Sequence, residues 1–187
     1  MELYILRHGL AGESGDPRYP DDSQRPLTPE GKRKMHQAAL GMKVMGLSFD
    51  LAFASPYLSA RQTAEIVCQQ LDLLAILQIT PNLEPGRDPR KLIAEINEHN
   101  LKNKSVMIAG HEPFLSGLVS FLISGSHSPQ VEFKKGALCK LEIEELKYGR
   151  CAALHWLLTS KQLGMMACQY KINRPALDKP TKLSYTN

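Results

Sequence analysis

The sequence predicts an α/β fold: a single three-layer α/β/α domain on a mostly parallel sheet, with a β-hairpin late in the chain. Three observations lead there. Short apolar runs of strand length alternate with longer stretches of helical period, the pattern of right-handed crossover units. The clearest runs, Leu3–Leu6, Leu51–Ala54 and Ser105–Ala109, are apolar at successive positions, as strands covered on both faces are. Three of the first four strands then stop at pointed chemistry: Arg7-His8-Gly9, Ser55-Pro56 and Gly110-His111-Glu112. Ligands of open α/β sheets bind at those carboxyl ends.

From the start of the chain, Glu2 to Leu6 runs into Arg7-His8-Gly9. A buried strand has no reason to end in a cation and an imidazole unless they emerge at an open edge. Gly9 is expected to leave the strand with φ > 0 and to let another group approach the backbone. Leu10 to Pro26 is a polar loop, long enough to suggest function. It ends in Arg25, just before Thr28-Pro29-Glu30. Those three supply an N-cap, a proline in the first turn and an acid near the positive helix end. The first helix should run to about Gly46, with Met35, Ala38, Ala39, Met42 and Met45 on its apolar face.

Leu51–Ala54 is the second strand, and Ala60–Leu71 a helix with Ala64, Val67, Cys68 and Leu71 inward. Leu74–Ile79 reads as a third strand, Thr80–Gly86 as a turn-rich loop, and Pro89 to about Asn100 as a helix. Ser105–Ala109 is the fourth strand and Phe114–Ile123 a further helix. Val131–Ile143 and Cys151–Thr159 read as two strands around a Glu144–Arg150 turn, the late hairpin. Residues 1–160 are thus expected to form the domain. The last stretch, 161–187, has weak periodicity and reads as an extension, either an arm on the domain or a tail.

Composition narrows the class. A chain of 187 residues can bury a sizeable core, and 43% hydrophobic with 22% charged residues is ordinary for a globular protein. The net charge of +4 is spread along the chain. That favours anionic ligands without marking a nucleic-acid protein. Cys68, Cys139, Cys151 and Cys168 are widely spaced and lack C-x-x-C pairs, as expected of buried thiols in a reducing compartment. With no signal pattern at the start and no run long enough to span a bilayer, a cytoplasmic location without membrane attachment is expected.

If the strands are parallel, Arg7-His8, Ser55-Pro56, His111 and the returning Arg25 converge on one crevice. Two histidines among arginines, without paired carboxylates, make a poor metal site, so no metal or cofactor is expected. Arginine forks match phosphoryl oxygens instead, and a neutral imidazole beside them is a nucleophile toward phosphorus. The residues read as phosphoryl transfer through a covalent phosphohistidine.

These segments resemble the histidine phosphatase superfamily, most closely its small SixA-type phosphohistidine phosphatases. The resemblance is carried by Leu6-Arg7-His8-Gly9, Arg25 to Gly31, Ser55 to Leu58 with Gln62 to Glu65, Leu83 to Asp88, and Gly110-His111-Glu112-Pro113. They occur in family order over roughly residues 1–160. The resemblance implies a phosphoglycerate mutase-like fold, His8 as nucleophile, and a phosphate pocket of Arg7, Arg25 and His111. It implies as partner a phosphorylated histidine-phosphotransfer protein or phosphotransferase carrier, because no long insertion covers the pocket between the third and fourth strands.

The chain departs from the family pattern at one place. Ser59 occupies the column where relatives carry a pocket arginine, and Arg61 lies about 200° further round the helix, so it is expected to point elsewhere. Glu84 sits in the loop where relatives acting on small metabolites place an acid, one position off. The alternatives are therefore a phosphomonoesterase on a small phosphorylated metabolite with Glu84 as acid, or a weakened phosphate-binding pseudo-phosphatase. His36, His99, His127 and His155 are expected at the surface or half-buried with their bonds satisfied, and Arg87 and Arg90 to be solvated.

Overall fold

The computed structural model describes residues 1–13, 15–99, 104–127 and 131–173, the side chains of 170–173 aside. Its strands are β1 (Glu2–Arg7), β2 (Leu51–Ala54), β3 (Leu77–Ile79), β4 (Ser105–Gly110), β5 (Leu138–Ile143) and β6 (Ala152–Leu158). They form one sheet in the order β3-β2-β4-β1-β5-β6. The first four are mutually parallel, with β4 between β1 and β2. β5 runs antiparallel to β1 and pairs with β6 as the expected hairpin. The helices are α1 (Pro29–Val44), α2 (Leu58–Gln70), α3 (Pro89–Glu98), α4 (Phe114–Ser124) and α5 (Ser160–Asn173). The expected end of α3 at Asn100 lies outside the described residues. None of the described helices is long and apolar enough to cross a membrane.

The strand alternation builds both faces of the core. Leu3, Ile5, Phe53, Val106 and Ile108 point to one side and pack with Leu92, Ile93 and Ile96 of α3 and Leu115, Leu118 and Val119 of α4. Their chain neighbours Tyr4, Leu6, Ala52, Ala54, Met107 and Ala109 point to the other, under α1 and α2. Several contacts on that second face are alanines (Ala38, Ala39 and Ala64 opposite Ala52, Ala54 and Ala109), which seats the helices low on the sheet. Each large side chain so buried contributes about 1.5–3 kcal/mol.

Four local expectations are corrected. Strand β3 covers only Leu77–Ile79, and Leu74–Ile76 is a 3-10 turn. The partner strand explains this, since Ala52 already pairs with Leu77 and the four-residue β2 leaves Leu74–Ile76 nothing to bond. Strand β5 starts at Leu138 and not at Val131, because Gly136 turns at φ 74° and residues 133–137 bond the end of β1 out of sheet register. Gly9 does not adopt positive φ. It serves by close approach, since a Cβ there would lie 2.7 Å from Met35 Cγ. Helix α2 begins at Leu58, two residues early, which takes Ser59 into its first turn.

The stretch after Ser160 forms a helix on α1. Leu163 and Ala167, one turn apart, are buried. A Cβ on Gly41 would lie 1.9 Å from the Leu163 carbonyl oxygen, so the two backbones meet where α1 has a glycine. A seam this narrow leaves little periodicity to read. Residues 174–187 of the anticipated extension lie outside the described residues.

Candidate active site

Strands β1 and β4 pair residue by residue to Arg7↔Gly110, and the next residues, His8 and His111, leave the sheet side by side. The His8 N–H donates to the Gly110 carbonyl at 3.0 Å. The two imidazole centroids are 4.8 Å apart with planes inclined by 41°, and the side chains are 4% and 5% exposed. Parallel pairing of two strands thus brings together histidines far apart in sequence.

Around His8 the backbone sets the tautomer. Its Nδ1 lies 2.7 Å from the Gly9 carbonyl oxygen, which only accepts, so Nδ1 carries the proton and Nε2 keeps its lone pair. The Gly9 N–H in turn donates to Thr63 Oγ1 at 3.0 Å, and that hydroxyl donates to the Ser59 carbonyl at 2.7 Å. The first turns of α2 therefore abut the His8–Gly9 corner. On the far side of His111 stands the Tyr57 ring, edge-on at 5.0 Å.

Both imidazoles are held neutral. Burial pushes His8 down to about 3, helped by His111, Arg7 and Lys135 against the opposing bond to Gly9. The Arg7 charge thus ranks behind desolvation. His111 is pushed down to about 4, again chiefly by burial. Asp22 opposes that shift, while Arg25 and Arg7 reinforce it.

Arg7 Nη1 donates to the Phe133 carbonyl, while its Nε is buried without a hydrogen-bond partner. His111 Nε2 is the other such atom among the described residues. A buried polar atom left unpaired costs about 1–3 kcal/mol, so two of them at the ends of β1 and β4 mark groups that a polar ligand could satisfy. Arg25 is 8% exposed. The chain folds back through a bridge between Ala11 and Leu27, which brings Arg25 near His111. Its guanidinium grips Asp22 through Nε and Nη2 at 2.8 and 3.0 Å and the Gly12 carbonyl through Nη1 at 2.6 Å. Asp22 is thus both the counter-ion of Arg25 and the carboxylate that acts on His111.

Ser59, Arg61 and Glu84 fall differently. Ser59 is 2% exposed, at the mouth of α2 and one turn before Thr63. Arg61 is not brought to the site: it lies at the surface and pairs with Glu65 at 2.8 Å. Glu84 caps the 3-10 turn after β3, and Arg87 holds its carboxylate. Glu84 is not among the charges that act on either histidine. Glu112 accepts the Ser116 N–H at the start of α4. Sequence reasoning passed over Asp22, Tyr57 and Lys135. Asp22 is three residues before Arg25 and Tyr57 two before Ser59, so spacing held a faint signal for both. Lys135 had none, because its stretch read as strand.

Comparison with known proteins identifies the family. The family model of the histidine phosphatase superfamily (branch 1) matches residues 3–84. An uncharacterized protein of Picosynechococcus is 30% identical over 142 residues, 75% of this chain and 84% of its own. The phosphohistidine phosphatase SixA of Escherichia coli is 29% identical over 168 residues, 88% of this chain and 98% of its own. A solved structure of the protein histidine phosphatase SixA with tungstate superposes with a TM-score of 0.74 at 27% identity, over 87% of this chain and 99% of that one. Sharing its phosphoglycerate mutase-like fold with these SixA-type relatives, the chain belongs to the histidine phosphatase superfamily and is a phosphatase.

Proposed function

We propose that the chain hydrolyses protein phosphohistidine through a phosphoryl group carried on His8 Nε2. One observation carries the reading. A neutral imidazole has its proton pinned on Nδ1 by Gly9, which leaves its Nε2 lone pair free, and two buried atoms without a partner, Arg7 Nε and His111 Nε2, belong to its chain neighbour and to the ring 4.8 Å away. A phosphoryl group there would take the Arg7 N–H and approach His111. Its negative charge would raise the His111 pKa, so that the ring could hold a proton at Nε2 and donate it to an oxygen. Arg25 would add charge from one side while Asp22 fixes its orientation.

The steps balance simply. The His8 lone pair forms an N–P bond as the substrate's own N–P bond breaks, and the departing imidazole takes up a proton. Water then attacks phospho-His8, releases orthophosphate and returns a neutral imidazole. An imidazole leaving group needs little acid assistance. Glu84, engaged by Arg87, is not placed to protonate an alkoxide, which weighs against the small-metabolite alternative. Between β3 and β4 the described residues hold one 3-10 turn and α3, in keeping with a pocket open to a protein surface. The partner we propose is a phosphorylated histidine-phosphotransfer domain or phosphotransferase carrier, and the SixA relative's name fits that class.

A trapping experiment tests the reading. The chain is incubated with a labelled phosphohistidine protein, quenched in base and mapped. The expected result is an acid-labile, base-stable adduct on His8 that is lost in His8→Ala. Phosphate binding without any adduct would favour the pseudo-phosphatase instead.

A further inference from the structure

The family position that Ser59 fills leaves the pocket one cation short, and Arg61, paired with Glu65 at the surface, does not make up the loss. Another cation is on hand. Residues 133–137, which the sequence suggested would be strand, wrap the end of β1. The Arg7 side chain donates to the Phe133 carbonyl, the Arg7 N–H donates to the Ala137 carbonyl at 3.0 Å, and the Gly136 N–H reaches the His8 carbonyl at 3.0 Å and that of Arg7 at 3.2 Å. Gly136 turns at φ 74°, and a Cβ there would lie 2.8 Å from Met35 Sδ, so only glycine fits. Ser160 Oγ ties the Lys135 carbonyl from the other side at 3.4 Å. The residues that hold the nucleophile therefore fix the Lys135 backbone beside it, and the Lys135 side chain is exposed at that edge, free to reach a ligand.

Its charge is uncompensated. Lys134 lies 3.8 Å from Glu132, whereas Lys135 has neither an ion pair nor a side-chain hydrogen bond among the described residues. The charged groups that act on it are Arg25 and Arg7, both cations. Desolvation first, then these two cations, hold its ammonium below the usual lysine range, and Lys135 acts in turn on His8. Like charges that act on one another, with Asp22 already engaged by Arg25, make a positive field that attracts an anion.

We infer that Lys135 is a phosphate-binding residue of this pocket, its ammonium donating to a phosphoryl oxygen in place of the guanidinium that position 59 lacks. The inference rests on the phosphoryl-transfer reading of the pocket and gives it a different charge layout. The lysine arrives from the β5 side, and a compact ammonium can swing with the departing group where a fork would be locked.

The test is orthophosphate binding by calorimetry on the full chain, which does not depend on the identity of the substrate. Lys135→Met is expected to weaken binding about ten- to hundredfold, the size of one lost charged hydrogen bond, while Lys135→Arg stays within about threefold. Ser59→Arg should recover most of the loss in the Lys135→Met background and add little to the parent chain. Binding by Lys135→Met within twofold of the parent overturns the inference. So do equal losses in the Met and Arg variants, or equal gains from Ser59→Arg in both backgrounds. If orthophosphate binding follows the expectation but phosphohistidine protein is not turned over, the pocket assignment stands and the proposed substrate falls.

Discussion

The two ends of the parallel strands treat charge in opposite ways. At the amino ends every charge named has a partner: Lys104 meets Asp50 at 2.9 Å, Asp50 also takes the Ser105 N–H at 2.8 Å, and Lys140 meets Glu2 at 2.5 Å. The bond from Lys140 holds the Glu2 carboxyl below its usual range, and the Ser105 N–H, with Lys104, does the same for Asp50. At the carboxyl ends Arg7, Arg25 and Lys135 gather around two neutral imidazoles, and two buried nitrogens have no partner. Both ends belong to the same strands and carry similar residue types. One end completes its bonds within the fold, and the other leaves them for a ligand. Among the described residues, the unpartnered buried nitrogens lie at the end where we propose that phosphate binds.

Mutation at the two ends should separate them. The largest effect is expected from Arg7→Ala, which removes the unpaired donor and should lower turnover of a phosphohistidine substrate about a hundredfold or more, on the order of 3 kcal/mol in barrier. A loss below about fivefold would mean that the unpaired nitrogen is not aimed at the reaction. Next comes pH. Both histidines are held below the ordinary value, at about 3 and about 4, so the unfolded chain binds more protons than the folded one below about pH 6.5. Stability should be level above that pH and fall as pH drops toward 4, by on the order of 2 kcal/mol per histidine between pH 6.5 and 5. Urea midpoints should show the slope, and His111→Asn should flatten it by about one proton. An unchanged slope in that variant would place the acid sensitivity elsewhere.

The smallest effects belong to the paired charges. Lys104→Met should cost no more than about 1 kcal/mol in urea unfolding and leave turnover alone, since exposed ion pairs contribute little. Arg61→Ala, at the surface on α2, should keep turnover within about threefold. A collapse in Arg61→Ala comparable to that of Arg7→Ala would show that Arg61 swings into the pocket when substrate binds.

Taken alone, the sequence determined the parallel strands and the placement of Arg7, His8 and His111 at their ends. Those signals are local: an apolar run of strand length, then an abrupt change to polar chemistry. It also determined the start of α1, where Thr28 Oγ1 caps the Gly31 N–H at 2.9 Å. Only the tertiary structure decided the proton on Nδ1 of His8, the edge of Tyr57 against His111, the hold of Asp22 on Arg25, the packing of α5 on Gly41, and the place of Lys135. Lys135 shows why. Val131–Ile143 has the composition of a strand, but its first half bonds the backbone of Arg7 and His8, more than 120 residues away in sequence. Periodicity reports which face of an element is buried. Which distant backbone it meets depends on hydrogen bonds that exist only once the sheet has closed.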